Sequence, residues 1–261
     1  MYAIILASGN SRRFGGNKLL TAFNGRPLFS YVLDKALELK AETGLEIIVV
    51  TQYPEIEAYV AKINDSHKLA GAHKDSMICK SYSQNQPQGH ELSRNYIKVI
   101  HNPSPEEGIA SSIRLGTQAA IDMENEFTLD IGETSRTRFS MMFMVSDQPY
   151  LKTQSIKKLM ESHQILSLSS ISPLAPAKSG PSSSSAETSV ISALCYGETS
   201  GNPVIFTSDF SKDLLALEGD TGGKSIMKKH MNKGTAFVLN RVCALEEKEL
   251  FDIDTRNDAR N

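Results

Sequence analysis

The sequence has almost no net charge. Its 261 residues include 28 Lys and Arg and 30 Asp and Glu, which gives a net charge of −2. A chain so balanced has no broad basic surface with which to wrap a nucleic acid or coat an anionic membrane. We therefore expect neither a nucleic acid nor a membrane as its partner.

The sequence also has no long apolar run and few cysteines. No stretch approaches the roughly 18–20 apolar residues that span a bilayer. The apolar residues 1–6 precede the basic Arg12 and Arg13, which is the reverse of the order in a signal peptide. None of the three cysteines belongs to a CxxC pair, which argues against a disulfide scaffold and a cysteine zinc site; they are Cys79, Cys195 and Cys243. We expect a cytoplasmic protein with reduced, buried thiols.

Short apolar runs alternate along the chain with segments of helical periodicity. The runs predict strands at 2–7, 45–51, 96–101, 141–145, 190–196, 203–206 and 236–239. The periodic segments predict helices at 27–40, 55–63, 109–123 and 153–165. The most apolar run, 141–145, is expected to be a central strand. This alternation indicates an α/β fold with a mostly parallel sheet that is covered on both faces.

Three polar stretches interrupt this alternation, near 71–95, 125–140 and 167–189. The last is rich in serine and proline, so it cannot bury enough apolar surface to offset the entropy of ordering it. We interpret all three as surface insertions in one domain that spans residues 1–261. The alternative is a domain boundary at the serine-rich stretch.

A glycine-rich, basic loop follows the first predicted strand. It reads Gly9-Asn10-Ser11-Arg12-Arg13-Phe14-Gly15-Gly16-Asn17-Lys18. Ligands of open α/β sheets bind outside the carboxyl ends of the strands, and glycine-rich backbone lets N–H groups approach phosphate oxygens. The loop therefore predicts a phosphate site, with a solvated basic turn as the alternative.

Two other phosphate motifs are excluded. The spacing GxGxxG is absent from the loop. The stretch Gly219-Asp220-Thr221-Gly222-Gly223-Lys224-Ser225 resembles a P-loop, but Glu218 stands where the motif needs its first glycine. That stretch also follows a helix-like segment, 210–217, and not a strand. A P-loop kinase or NTPase is therefore not expected.

Acidic residues supply the candidate metal ligands. Asp147 directly follows the most apolar strand, where its carboxylate would reach the ligand edge of the sheet. Near the end of the chain, Asp252 and Asp254 alternate with Ile253, so an extended backbone puts both carboxylates on one face. Carboxylates beside a phosphate loop suit Mg²⁺. The alternatives are helix capping by Asp147 and an acidic C-terminal turn.

Together these motifs resemble the nucleotidylyltransferases of molybdenum cofactor biosynthesis, the MobA-like NTP transferases. The opening matches their LAxGxSxRxGxxK pattern through Leu6, Ala7, Gly9, Ser11, Arg13, Gly15 and Lys18. Four further motifs follow in the family's order. The first is Asn102-Pro103 followed by 107–113, the second is 147–149, the third is 201–206 followed by 219–223, and the fourth is 252–255. The segment Glu107-Gly108-Ile109-Ala110-Ser111-Ser112 is most similar to the cytidylyltransferase branch.

The resemblance implies a three-layer αβα, Rossmann-like domain. The activity it implies is Mg²⁺-assisted transfer from CTP to molybdopterin, which gives a cytosine dinucleotide cofactor and pyrophosphate. A molybdoenzyme of the hydroxylase class would then be a partner. Implied catalytic residues are Arg13, Lys18 and Asp147. Implied nucleotide ligands are Leu6, Ala7, Gly9, Ser11, Arg13, Lys18, Ser111 and Ser112. Asn202 and Gly222 would bind the acceptor, and Asp147, Asp252 and Asp254 the metal.

Three departures from the family pattern leave alternatives open. Ser8, Phe14 and Arg256-Asn257 stand where the family usually has Ala or Gly, Met, and Pro-Glu. These positions bear on base choice and on the second metal ligand more than on reaction type. The alternatives are a guanylyltransferase, a sugar- or alditol-phosphate nucleotidylyltransferase, and a nucleotide-binding carrier of the cofactor without turnover.

Overall fold

The computed structural model describes residues 1–11, 14–78, 96–130, 138–169, 188–234 and 236–258. Its strands are β1 (Tyr2–Ala7), β2 (Ala22–Phe23), β3 (Arg26–Pro27), β4 (Glu46–Thr51), β5 (Lys98–His101), β6 (Ser140–Val145), β7 (Val190–Tyr196), β8 (Thr199–Thr207) and β9 (Val238–Cys243). Its α-helices are α1 (Ser30–Thr43), α2 (Pro54–Ile78), α3 (Ile109–Asp130), α4 (Thr153–Leu168), α5 (Ser211–Leu215) and α6 (Gly223–Lys233). None of these helices is both long enough and apolar enough to cross a bilayer.

The main sheet has the strand order β5-β4-β1-β6-β8-β7-β9. Every neighbouring pair is parallel except the two that involve β8. The antiparallel direction of β8 follows from its short connection, because only two residues separate it from β7 and a parallel crossover needs many more. The expected mostly parallel sheet is confirmed, and β6 is its middle strand.

Helices cover both faces of this sheet. Strand β1 shows the two-sided pattern, because Ala3 and Ile5 pack in one apolar cluster while Ile4 and Leu6 pack in the other. The first cluster includes apolar side chains of α1, α2 and α4, and the second those of α3, α5 and α6. The three-layer αβα architecture is therefore confirmed.

The predicted start of the first helix is wrong. Residues 27–40 were expected to be helical, but Pro27 belongs to β3 and α1 begins at Ser30. The reason lies in Asn24-Gly25, where both residues have positive φ values of 48° and 83°. Two such residues form the tight turn that joins the hairpin strands β2 and β3.

Helices extend into parts of the predicted insertions. Helix α2 runs through residues 71–78 of the first, and α3 runs through residues 125–130 of the second. Phe127 and Leu129 are exposed, so that end of α3 continues on local hydrogen bonding more than on burial. The rest of the three predicted insertions lies mostly outside the described residues. The expectation of buried thiols is right for Cys195 and wrong for Cys243, which is exposed on β9.

Candidate functional site

A cavity of about 330 Å³ opens at the carboxyl ends of β1 and β6. The chain runs from β1 outward to β4 and β5, then returns through α3 to β6 on the other side of β1. This reversal of strand order is where open α/β sheets bind their ligands. Among the residues expected at the site, those that line the cavity are Leu6, Gly9, Ser11, Lys18, Ser112 and Asp147.

The loop after β1 is held in shape by side chains from neighbouring elements. Ser11 adopts a left-handed backbone with φ of 47°, and its hydroxyl accepts a hydrogen bond from the Lys18 backbone N–H at 3.2 Å. The Tyr53 hydroxyl donates to the Gly9 carbonyl at 2.7 Å, and the Gln52 amide donates to the Ser8 carbonyl at 2.7 Å. Arg13, expected to be catalytic, lies outside the described residues together with Arg12.

Lys18 forms the centre of a charged cluster at the cavity. Its Nζ lies 2.6 Å from Asp147 Oδ2 and 3.0 Å from Asp254 Oδ1. Burial alone lowers the pKa of the Lys18 ammonium, but the Asp147 and Asp254 carboxylates outweigh burial and raise that pKa above its ordinary value. Lys18 is therefore a cation at neutral pH, with only about a tenth of its side chain exposed.

The C-terminal segment brings the other two carboxylates to this cluster. The Ile253 N–H donates to the Asp147 carbonyl at 3.0 Å, and the Ile253 side chain is buried beside Phe14, Phe23 and Leu28. Asp252 and Asp254 flank Ile253 and both interact with Lys18. The expected common orientation of the two carboxylates is consistent with this arrangement.

Gln148 orients Asp252. Its Nε2 donates to Asp252 Oδ1 at 2.8 Å. Burial, followed by the nearby charge of Asp147, raises the pKa of Asp252 to about 6. Gln148 lies in the motif 147–149 without a predicted role, although an amide next to a candidate metal ligand is a signal that could have identified it.

Asp147 does not cap the helix that follows it. The first residues of α4 are capped from the C-terminal segment, where Glu249 accepts hydrogen bonds from the Lys152 N–H and the Ser155 hydroxyl, both at 3.0 Å. Asp147 is left to pair with Lys18. Glu249 was missed by sequence reasoning, because no local pattern indicates a helix cap that comes from about 95 residues away.

Ser111 and Ser112 are both fixed by Asn102, which stands just after β5. The Asn102 Nδ2 donates to the Ser111 hydroxyl at 2.9 Å and to the Ser112 hydroxyl at 3.1 Å. Only Ser112 of this pair lines the cavity, while Ser111 donates to the Gly108 carbonyl at the start of α3. This network holds the N-terminus of α3 against the cavity.

Gly108 brings a second loop to the cavity wall. Its φ is 83°, and a Cβ there would lie 2.4 Å from Asp220 Oδ1 and 2.7 Å from the Gly219 backbone. The Gly219 carbonyl also accepts a hydrogen bond from the Ala110 N–H at 3.1 Å. Asp220, which sequence reasoning did not assign, lines the cavity as a result.

Besides Ser111, Asp252 and Asp254, three more of the described site residues do not line this cavity. Ala7 is fully buried in β1 and belongs to the apolar cluster that includes α1. Asn202 lies within β8, and Gly222 immediately precedes α6. The structure thus gathers the proposed phosphate and metal residues and leaves the proposed acceptor residues apart from them.

The donor set at Asp147 fits a hard divalent cation held by few protein ligands. Asp147 Oδ1 is buried and has no hydrogen-bond partner among the described residues. The repulsion between Asp147 and Asp252 that contributes to the raised pKa of Asp252 would be relieved by a cation. In the part of the chain that the structure describes, no cluster of three or more His, Cys, Asp and Glu is placed to hold a metal. Mg²⁺ keeps waters and substrate phosphates, so one or two carboxylates suffice.

A protein-family model described as the MobA-like NTP transferase domain matches residues 3–234. The chain belongs to that family. It is a nucleotidyltransferase of the MobA-like group, and the sequence resemblance is confirmed at this level. Asp252 and Asp254 lie outside the matched residues.

Individual proteins that are similar to this chain carry different names. A curated protein of Thermococcus sibiricus, named a probable molybdenum cofactor guanylyltransferase, is 37% identical over 59 residues, which cover 23% of this chain and 29% of that protein. The structure of Rv0371c from Mycobacterium tuberculosis H37Rv has a TM-score of 0.55 at 15% identity, covering 100% of this chain and 96% of the other. A 4-diphosphocytidyl-2C-methyl-D-erythritol synthase from Anaerococcus prevotii has a TM-score of 0.55 at 13% identity, covering 99% and 92%. At such identities, the two structures show the shared fold alone.

Proposed function

We propose that this chain transfers the cytidylyl group of CTP to molybdopterin and releases pyrophosphate. The observation that carries the proposal is the buried Lys18 ammonium, held by Asp147 and Asp254 on the wall of a cavity at the reversal of strand order. Nucleotidyl transfer depends on positioning and charge neutralisation more than on covalent help from the protein. A fixed cation beside carboxylates at this edge suits that requirement.

The loop after β1 is the proposed triphosphate site. Gly9 and Ser11 line the cavity on the same loop as Lys18, and Tyr53 and Gln52 hold the Gly9 and Ser8 carbonyls by hydrogen bonds. A backbone held in advance loses less entropy when it binds phosphate oxygens. Arg13 would add a second cation from this loop, as the family resemblance implies.

Lys18 would stabilise the charge that gathers on the leaving pyrophosphate. Its raised pKa keeps the ammonium charged, and the two carboxylates fix its direction. The attacking group is a terminal phosphate oxygen of the acceptor, which is already ionised, so no general base is required. Among the described residues, His163 fits this scheme as a structural group, because it is buried between the Ser140 and Ser192 hydroxyls.

Asp147 would hold Mg²⁺ through its unpartnered Oδ1, with Asp252 or Asp254 as the second carboxylate. When bound, the cation would neutralise the triphosphate and make its α-phosphate easier to attack. Gln148 donates a hydrogen bond to Asp252, whose carboxylate lies close enough to Asp147 for the two charges to repel each other. Asp254 is paired with Lys18, so Asp252 is the more available of the two.

The proposed metal role of Asp147 predicts the behaviour of Asp147→Asn. This change keeps the shape of the side chain and removes its charge, so kcat/KM should fall by roughly 10²–10³-fold or more. Steady-state pyrophosphate release across a Mg²⁺ series measures it, with Asp34→Asn, on the exposed ion pair with Arg26, as the control. Added Mg²⁺ should restore part of the activity only while Asp252 or Asp254 still supplies a second carboxylate. Near-normal turnover at low Mg²⁺ would remove Asp147 from the metal site.

The choice of CTP rests on the similarity of segment 107–112 to the cytidylyltransferase branch. A second candidate, guanylyl transfer, is favoured by the name of the Thermococcus sibiricus relative. Incubation with molybdopterin, Mg²⁺ and each NTP in turn, with pyrophosphate and product measured, separates them. A site that hydrogen-bonds one base leaves polar groups unpaired with another, so CTP should give the higher kcat/KM. An equal or higher value with GTP would overturn the cytidylyl proposal.

The same assay tests the remaining alternatives. Substituting sugar phosphates and alditol phosphates for molybdopterin tests a different acceptor class. Nucleotide and cofactor binding without pyrophosphate release would indicate a carrier that delivers the cofactor to a molybdoenzyme. The proposal expects release only with the pterin acceptor.

A further inference from the structure

Two cysteines lie next to each other at the β9 edge of the sheet. Cys195 of β7 and Cys243 of β9 are partners in a parallel ladder, and their Sγ atoms are 3.9 Å apart. The Cys195 thiol donates a hydrogen bond to the Cys243 sulfur. Cys243 is exposed to solvent, whereas Cys195 is buried.

The strand register fixes this pair in place. The ladder between β7 and β9 is unbroken from Val190 opposite Val238 to Cys195 opposite Cys243, so both thiols lie on the same face of the sheet. Neighbouring strands run about 4.8 Å apart. That spacing lies within the roughly 4.4–6.8 Å between Cα atoms that a disulfide accepts. Side-chain rotation can therefore bring the sulfur atoms to bonding distance while the ladder stays intact.

We propose that Cys195 and Cys243 form a peroxide-responsive disulfide. The oxidant is hydrogen peroxide. The Cys243 thiolate attacks one peroxide oxygen, the O–O bond breaks, and Cys243 becomes a sulfenic acid as one water is released. The Cys195 sulfur then attacks the Cys243 sulfur, the S–O bond breaks, and the hydroxyl leaves with the Cys195 proton as a second water. Two thiols are oxidised to one disulfide while one peroxide is reduced to two waters.

The different surroundings of the two thiols set the order of these steps. Burial raises the pKa of the Cys195 thiol, which keeps it protonated. Cys243 meets peroxide first because it is exposed on an edge strand. Cys195 then acts as the resolving thiol, protected from peroxide by its own burial.

The Cys195–Cys243 disulfide would lie at the end of β9, where the chain leaves the sheet and continues toward the candidate active site. The Ala244 N–H donates to the Cys195 carbonyl at 2.7 Å, and the segment after Ala244 carries Glu249, Asp252 and Asp254. The disulfide would also join two residues that are 48 positions apart in the sequence, and the loop it closes contains α5 and α6. Because this loop closure restricts the unfolded chain, the oxidised protein should melt roughly 5 °C higher than the reduced protein.

The test uses the full chain with Cys79→Ser, so that Cys195 and Cys243 are the remaining thiols. The protein is treated with a small excess of hydrogen peroxide, its free thiols are alkylated under denaturing conditions, and its peptides are mapped by mass spectrometry. We expect no alkylation at either cysteine, a cross-linked peptide pair within one chain, and full reversal by dithiothreitol. The rise in melting temperature should be absent from Cys79→Ser/Cys243→Ala.

A second variant separates the two steps. With Cys195→Ala the resolving thiol is gone, so peroxide and dimedone together should label Cys243 as the sulfenic acid. The peptide map of the Cys79→Ser protein does not depend on whether this variant folds. Two thiols that stay free, a Cys243 oxidised to the sulfinic acid beside a free Cys195, or cross-links only between chains would each overturn the proposal.

Discussion

At the scale of single residues, Lys18 connects the sequence pattern to the chemistry. Lys18→Met keeps much of the side-chain volume and removes the charge, so kcat/KM for pyrophosphate release should fall by roughly 10²–10³-fold. The matched control is Lys152→Met, because Lys152 pairs with Glu246 at an exposed position. The control should stay within about twofold of the wild-type kcat/KM, because Lys152 does not line the cavity and its exposed ion pair contributes little to stability. A Lys18→Met protein that keeps wild-type kcat/KM would contradict the charge-stabilising role.

Asp252 gives a prediction for the pH dependence of stability. Its pKa of about 6 in the folded protein is above the ordinary 3.8, so the folded state binds this proton more readily than the unfolded state. The ionised carboxylate therefore costs stability above pH 6, and the cost disappears as pH falls toward 3.8. Asp252→Asn should raise the melting temperature by a few degrees at about pH 7.5 in EDTA, and not at about pH 4.

Asp258 is the control of opposite sign for that measurement. Hydrogen bonds from the Thr255 hydroxyl and backbone lower the pKa of Asp258, so its ionised form favours the folded state. Asp258→Asn should lower the melting temperature slightly at about pH 7.5, with the loss disappearing in acid. If both variants shifted the melting temperature in the same direction, the raised pKa of Asp252, which burial and then the charge of Asp147 cause, would be contradicted.

At the scale of elements, a strand could be predicted where a local apolar run marks it. Strands β1 and β7 have the bounds that their apolar runs predict. The hairpin β2–β3 was missed although Asn24-Gly25 is a local turn signal, because Pro27 was interpreted as the first turn of a helix. The ends of α2 and α3 were missed because polar composition does not end a helix whose backbone hydrogen bonds continue.

The C-terminal segment gives the element-scale prediction. Glu249 is fully buried, and besides the start of α4 it accepts hydrogen bonds from the Leu245 N–H at 2.8 Å and the Glu246 N–H at 3.1 Å. Glu249→Ala leaves these donors without their acceptor, so the free energy of unfolding should fall by about 3 kcal/mol. Urea unfolding measures it, with the exposed Glu247→Ala from the same turn as the control.

Glu249→Gln refines this prediction, since an amide keeps one acceptor oxygen and loses the charge. Its unfolding free energy should lie between those of Glu249→Ala and the wild type. A Glu249→Ala protein as stable as Glu247→Ala would show that this turn is not held to α4 by the buried carboxylate.

At the scale of the whole molecule, the site is assembled from distant parts of the chain. Lys18 lies 129 residues before Asp147 and 236 residues before Asp254. All three could nevertheless be named from the sequence, because each belongs to a recognisable motif. The pairing of Lys18 with both carboxylates could not be predicted, because it depends on how Ile253 packs under the loop after β1. Glu249 could not be predicted either, because its role exists only in the packed structure. Asp220 belongs to the motif 219–223, but its place at the cavity depends on the close approach of Gly108.

The serine-rich stretch gives a prediction for the molecule as a whole. The sheet is continuous across it, because β6 before the stretch pairs with β8 after it. The Thr188 hydroxyl donates to the Ser169 carbonyl at 3.5 Å, so the two ends of segment 170–187 lie side by side and a short linker can join them. Because the entropy of loop closure changes slowly with loop length, replacing 170–187 by a Gly-Ser linker of about four residues should change the melting temperature by only a few degrees.

Calorimetry of the shortened protein and of the full chain tests this expectation. Both should unfold in one cooperative transition, since β7, β8 and β9 share their apolar clusters with β1 and β6. Pyrophosphate release should also be retained, because the described cavity residues come from other segments. A matched control replaces the two-residue turn Gly197-Glu198 by the same linker, which should lower stability because that turn joins paired strands directly. Insoluble protein or two separate transitions after the 170–187 replacement would mean that the stretch packs against the sheet or divides it into two folding units.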